Sequence, residues 1–241
     1  MSNAQKFSWD FDVPADAFWS SLPFSTGRNF LQCFDPADIE IMSPQFDASL
    51  PIENKNRLLL RLTQQKLAVE EDAAQRSGEG RLYEKDWVAW QNLMLAIVTT
   101  QHELGLLADE ERTLQTMLDH PKPGQSKNYS ALNMMARLYD ANGRYAEAEQ
   151  ALLEVKAWME EHPQIGRGSP PAMGNLRMLL EAVWKQGNHE EATGIYMDMK
   201  SLVDRMDKTN FAQYQEEERE MLEGLMETLR KWEDAQQASG I

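Results

Sequence analysis

A single cysteine, Cys33, in 241 residues excludes an internal disulfide and a cysteine-rich metal site. It has no histidine near it in sequence and reads as a buried or spectator thiol. Histidine is nearly as scarce. His102, His120, His162 and His189 include no two residues within an i,i+4 step, so no local histidine pair is available to a metal. Long apolar runs are missing, since the longest, Asn92 to Thr100, is far too short to span a bilayer. The chain opens without a basic stretch followed by an apolar core, so no secretory signal is expected and the cytoplasm, or else the nucleus, is the expected compartment. Asn128-Tyr129-Ser130 spells a glycosylation signal that matters only in a secreted protein. Basic residues are outnumbered 24 to 39, for a net charge of −15. Such a chain repels phosphate backbones and anionic membranes, so neither nucleic acid nor membrane is an expected partner. Basic peptides or basic protein faces suit it better.

Catalytic signatures are missing as well. Gly78-Glu79-Gly80 is followed by no Lys-Ser/Thr and preceded by no strand, so it is a loop and not a phosphate cradle. No serine elbow and no paired aspartate motif occurs. The adjacent His102-Glu103, at a helix end on the expected concave face, offers an acid/base pair, but a stray polar pair is the simpler explanation. No catalytic residue, cofactor or metal is expected.

What is present is an ordinary globular balance, with 42% apolar and 26% charged residues. Fourteen methionines and seven tryptophans suit irregular gaps between helices. Residues 1–52 stand apart. They carry nine aromatics, from Phe7 and Trp9 to Phe46, and prolines 14, 23, 36, 44 and 51. Prolines at that spacing forbid long helices. A disordered tail is poor in aromatics, so the expectation is an extended, irregular arm with short turns whose aromatics dock onto a helical body or a partner.

From Glu53 onward the periodicity is helical over 53–241, and no comparable strand pattern appears. Eight helices are expected, in four antiparallel pairs. Their stop signals are the 77–80 loop, Gly105, His120-Pro121, Gly143, His162-Pro163 and Gly187. Ser169-Pro170 reads as an N-cap and first-turn proline, and Asn188 with Glu191 as a capping-box-like start. The last helix, over 209–237, has the place of a capping helix.

A shift of 44 residues lays Leu132 on Leu176, Met135 on Leu179, Gly143 on Gly187, Ala148 on Ala192, Leu152 on Tyr196 and Val155 on Met199. A small residue at one fixed place lets two helices approach, large apolar residues fill the groove, and a glycine reverses the chain. Such pairs bury their apolar faces only by stacking. With Ala136, Tyr139 and Tyr145 added, this pattern resembles the tetratricopeptide repeat (TPR) family. Gly143-Arg144-Tyr145-Ala146-Glu147-Ala148-Glu149 is its most family-like stretch. The long period and the His162-Pro163 stop are similar to kinesin-light-chain-type repeats of about 42 residues. The clear resemblance covers 128–206. In the second repeat Leu180 and Val183 depart from the pattern. A third, degenerate copy ends in Gly105, keeps Leu107, Leu114 and Met117 in register, and has Glu110 where alanine belongs.

The resemblance implies an all-α, TPR-like superhelix of about four helix pairs. It also implies a peptide-binding concave face carrying Asn133, Arg137 and Asp140 from one repeat, Arg177, Glu181, Trp184 and Lys185 from the next, and Asn92, Thr99 and His102 from the degenerate copy. Convergence of Arg137, Arg177 and Lys185 would receive an acidic peptide or a C-terminal carboxylate. Solvated charges paired at i,i+4, as Arg177 with Glu181, are the plainer explanation. The chaperone-type carboxylate clamp is not evident. Ser8-Trp9-Asp10-Phe11-Asp12 resembles the tryptophan-acidic peptides that such grooves accept, which makes the arm a candidate internal ligand. The first expectation is thus a non-catalytic scaffold binding protein or peptide. Two alternatives stay open. One is an all-helical enzyme or small-molecule binder with a Trp/Met-lined apolar pocket containing His102, Arg137, Glu181 and Trp184. The other is a self-associating structural subunit, a homodimer bridged by the arm.

Overall fold

In the computed structural model, which describes residues 11–162 and 165–239, every regular element is helical. The elements are α1 (Phe24–Leu31), α2 (Pro36–Met42), α3 (Ile52–Arg76), α4 (Leu82–Lys85), α5 (Trp87–Glu103), α6 (Leu107–Asp119), α7 (Tyr129–Ala141), α8 (Tyr145–Glu161), α9 (Pro170–Lys185), α10 (His189–Asp204) and α11 (Gln215–Ser239). Among the described residues no helix is long and apolar enough to cross a membrane. The described residues fall into two compact units that divide between Ala131 and Leu132, within α7.

The N-terminal unit contains a surprise for its proline-rich segment. Where the sequence suggests extended chain, residues 24–42 are largely helical. Pro23 and Pro51 stand at the N-caps of α1 and α3, and Pro36 lies in the first turn of α2. A helix start needs no N–H from these positions, so proline there ends one element and opens the next. Asp16 accepts hydrogen bonds from the backbone N–H groups of Phe18 and Trp19 at 2.9 and 3.2 Å, fixing a tight turn. The turn drives Phe18, Trp19 and Leu22 into a cluster with Phe30 and Leu31 of α1 and Leu59 and Leu62 of α3. Gly27 makes room there, since a methyl group in its place would lie 3.1 Å from Val13. Lys55 is buried with its stem in the cluster. Its ammonium donates to Ser21 Oγ at 2.7 Å and sits 5.0 Å from the Phe18 ring centroid. Asn29 of α1 donates to Thr99 of α5 at 2.8 Å.

Cys33 donates its thiol hydrogen to the Asn29 carbonyl, and burial pushes its pKa up to about 12, against a smaller opposing pull from Lys66. The thiolate that a nucleophile needs is therefore suppressed at neutral pH. One helix expected from Leu82 onward is instead two. Asp86, at φ −141°, breaks the chain and caps α5 by accepting from Ala89 N at 2.9 Å. Beyond α6, Asn128 caps α7. Its Oδ1 accepts from Ala131 N, and its amide donates to Gln91 and to the Met117 carbonyl. That burial closes the glycosylation signal to modification in the folded chain.

The C-terminal unit holds α8 to α11 and most of α7. The reversals α7/α8 and α9/α10 share one geometry. Gly143 and Gly187 adopt φ of 72° and 83°. Arg144 N bonds back to the Tyr139 carbonyl at 2.9 Å, and Asn188 N to the Val183 carbonyl at 3.2 Å. This is the glycine C-cap that satisfies the last carbonyls of a helix. The α5/α6 reversal at Gly105 repeats it, with Leu106 N bonding to the Gln101 carbonyl at 2.9 Å. One turn into each following helix the small residue is buried (Ala148, Ala192), followed by Leu152 and Val155 on α8 and Met199 on α10. Ser169 caps α9 as expected, accepting from Ala172 N. Asn188 makes no side-chain cap bond, so the expected capping box does not form. The last helix starts later than the expected residue 209. Two short 3-10 turns, Met206–Lys208 and Ala212–Tyr214, precede it.

Candidate functional site

The residues that the repeat pattern assigns to a binding face divide between the units. Asn133, Arg137, Asp140, Arg177, Glu181, Trp184 and Lys185 lie in the C-terminal unit, and Asn92, Thr99 and His102 in the N-terminal one. The Trp-acidic segment 8–12 falls largely outside the described residues.

In the C-terminal unit the polar residues are mostly committed to one another. Asn133 donates to Asn175 Oδ1 at 3.0 Å, and Asn175 in turn donates to the Leu152 carbonyl, tying α7, α9 and α8 together. Lys185, at the end of α9, bonds Asp140 of α7 at 2.7 Å and Glu181 at 2.6 Å, with its ammonium 5.6 Å from the Tyr145 ring centroid. Burial works against the Lys185 ammonium, but the two carboxylates outweigh it, and its pKa stands above the ordinary lysine value. Next to it Trp184 is buried. Its ring meets the His189 imidazole at 4.7 Å, and its indole N–H has no acceptor among the described residues. The second oxygen of Asp140, Oδ1, is likewise buried without a donor.

Arg177 departs from its expected role. Its partner is not Glu181 but Glu218 of α11, 41 residues away, and the Glu218 side chain is only 3% exposed. The guanidinium therefore anchors the last helix onto α9 instead of standing free. Burial raises the Glu218 pKa above the usual glutamate range, although the Arg177 charge and hydrogen bond pull it down. Of the three expected basic receptors, Arg137 alone is exposed and without an ion-pair partner among the described residues. Among the described residues these side chains thus form a largely neutralised network, with Arg137 outside it.

His102 faces a carboxylate other than the neighbouring Glu103. Its Nδ1 lies 3.2 Å from both oxygens of Glu110. Glu110 occupies the buried position that Ala148 and Ala192 hold in the other hairpins, and it is only 2% exposed. Thr99 is also spent inward, accepting from Asn29 and donating to the Leu95 carbonyl. This arrangement makes a directional stability prediction. Replacing His102 by Ala strands a buried carboxylate and is expected to cost about 1–3 kcal/mol. Replacing Glu110 by Ala installs the residue the other hairpins use and is expected to cost under about 1 kcal/mol. Urea denaturation of both variants reads the order, and the reverse order would show that Glu110 is anchored by something other than His102.

Two of these residues carried a weak sequence signal. Glu110 interrupts a small-residue position. Glu218 falls in register with Leu222 and Leu229 on the apolar stripe of α11, inside what otherwise looks like a solvated acidic run. Among the described residues no three of His, Cys, Asp and Glu are grouped to hold a metal.

No family model, curated protein or solved structure matches the chain.

Proposed function

We propose that the chain is a non-catalytic scaffold that binds a protein segment on a TPR-like face formed by α7 and α9. The observation that carries this is the 44-residue recurrence of one hairpin. It comprises the same glycine reversal at Gly143 and Gly187, the same buried alanine at Ala148 and Ala192, and the same apolar filling behind it. Repeated hairpins of this kind present the outer positions of their first helices as an extended surface. On that surface the internal pairing of Lys185 and Arg177 leaves Arg137 as the cation available to a ligand. The ligand that fits is an extended peptide placing one carboxylate, from a side chain or its own C-terminus, against Arg137. Lys185, Asp140 and Glu181 serve to hold the face rigid rather than to grip the peptide.

The test is fluorescence anisotropy of labelled peptides titrated with the full chain. An acidic peptide is expected to bind saturably, and Arg137→Glu to weaken it by about tenfold, the effect of roughly one lost charged contact. An affinity indifferent to Arg137→Glu would remove the face from consideration.

A further inference from the structure

One of the three glycine reversals carries reactive chemistry that the other two lack. Gly105, Gly143 and Gly187 share a positive φ, but the residues before them are Leu104, Asn142 and Gln186. Of the 13 glycines in the chain, Gly143 alone follows an asparagine. The carbonyl carbon of an asparagine side chain and the backbone nitrogen of the next residue close a five-membered ring. Gln186 would need a six-membered ring, which closes far more slowly, and Leu104 has no amide to attack. Glycine in the second position leaves its nitrogen unshielded, because it has no side chain. Asn142, Gly143 and Arg144 are all exposed. A methyl group built on Gly143 would meet no atom beyond its chain neighbours within 4 Å, so the turn is open to water.

The folded turn restrains this ring closure without forbidding it. The nucleophile is engaged, since Gly143 N donates to the Asp140 carbonyl at 3.0 Å. The leaving group is engaged too, since Asn142 Nδ2 donates to the Leu138 carbonyl at 2.7 Å. Both bonds must open before the ring can form. They sit at the exposed C-terminal end of α7, and helix ends fray at little cost. Asn188 supplies a comparison within the same unit. It is exposed and its side chain makes no cap bond, but His189 follows it and crowds the attacking nitrogen. Restraint by hydrogen bonds favours reaction at Asn188, and an unshielded following nitrogen favours reaction at Asn142.

We propose that Asn142 is a site of spontaneous deamidation, converting to isoaspartate at a rate set by the opening of the α7/α8 turn. The Gly143 nitrogen gives its proton to hydroxide and attacks Asn142 Cγ. The bond from Cγ to Nδ2 breaks, the nitrogen leaves as ammonia, and a succinimide is left. Water then opens the ring at either carbonyl, giving isoaspartate or aspartate. The sum consumes water and releases ammonia, with no change of oxidation state. Isoaspartate routes the chain through the former side chain. That lengthens the backbone of a reversal that Arg144 N closes onto the Tyr139 carbonyl at 2.9 Å. It also removes the donor to the Leu138 carbonyl and sets a carboxylate at the negative end of the α7 dipole. The modified turn no longer fits the glycine C-cap, and it adjoins Asp140, the partner of Lys185. The inference does not rest on the peptide-binding reading.

The test incubates the full chain at mildly alkaline pH and digests samples with trypsin, which releases Leu138–Arg144 with Asn142 as its only asparagine. Mass spectrometry follows the conversion of amide to acid, corrected by a digest taken before incubation. Electron-transfer fragmentation tells isoaspartate from aspartate. Acid forms are expected to accumulate with isoaspartate in excess. Conversion at Asn142 is expected to outrun that at Asn188 by at least about tenfold, because glycine leaves its nitrogen open. It is expected to lag the free synthetic peptide of the same sequence by at least about tenfold, because the turn must first open. Urea is expected to bring the chain up to the rate of the peptide. Asn142→Gln installs the residue that precedes Gly187, and is expected to keep the helical circular dichroism and abolish the conversion. Four results would overturn the proposal: no acid form in the chain while the free peptide converts, conversion at Asn188 as fast as at Asn142, aspartate without isoaspartate, or equal rates in the folded and the urea-unfolded chain.

Discussion

Replacing Arg177 by methionine is expected to destabilise the chain by about 3–5 kcal/mol at neutral pH, because it leaves a buried carboxylate without its counter-charge. Glu218 is enclosed on α11, and its partner is the guanidinium of α9. The pair itself is a poor source of net stability. Taking both ions from water costs nearly what their attraction returns, and the raised pKa of Glu218 records that burial outweighs the help from Arg177. The cost of the single substitution is therefore the cost of an orphan, and the double variant Arg177→Met/Glu218→Leu is expected to recover most of it. The pH dependence has a definite sign. A carboxyl whose folded pKa is raised adds stability that is fully present below its unfolded value and is lost as pH rises through the folded value. Removing Arg177 raises the folded pKa further, so the deficit of the single variant is largest at neutral pH and shrinks on acidification. Urea denaturation at several pH values checks both statements. A deficit under about 1 kcal/mol, or one that grows on acidification, would mean that water reaches Glu218.

The same ion pair marks where sequence reasoning stops. The all-helical class was legible because apolar residues recur at three- and four-residue steps from Glu53 onward. The reversals were legible because only glycine takes the positive φ that Gly105, Gly143 and Gly187 adopt. Both are local properties of the chain. The partner of Arg177 is not local. Glu181, at i+4, is the obvious candidate on a helical wheel, and the actual partner lies 41 residues away. The carboxylates that pair with Arg177 and Lys185 were out of reach for the same reason. Spacing places Arg137, Arg177 and Lys185 on related faces, but which carboxylates those faces meet is decided by packing between helices. The carboxylate that His102 meets was equally out of reach, since the imidazole turns across the hairpin to Glu110 and not to the adjacent Glu103. The prolines misled in the opposite direction. Each is a correct sign that a helix cannot pass through it, yet Pro23, Pro36 and Pro51 open helices as readily as they close them.

That last point gives the second large expected effect. If the aromatic segment before α3 only covered a finished helical body, trimming one of its rings would be nearly silent. The packing says otherwise. Phe30 is 1% exposed, with ring centroids 4.7 Å from Phe34, 5.7 Å from Trp19 and 6.0 Å from Phe46. It shares its cluster with Leu59 and Leu62 of α3, and the adjacent Asn29 bonds to Thr99 of α5. Phe30→Ala removes a ring from the centre of this arrangement, and the rigid neighbours from α1 and α3 cannot close the space. The expected cost is about 3–5 kcal/mol, against roughly 1 kcal/mol for Phe30→Leu, which keeps most of the volume. Limited proteolysis adds a spatial readout. The alanine variant is expected to be cut within 11–50 at protease levels that leave the parent intact, and Leu58 and Leu59 on α3 then lose their cover. A cost below about 1 kcal/mol, with the parent itself cut there readily, would show that the segment is a dispensable cover. The predicted loss would instead make the aromatics before residue 52 part of the core on which α3 and α5 are built, so that a truncation starting at residue 53 removes a folding element along with any ligand the segment carries.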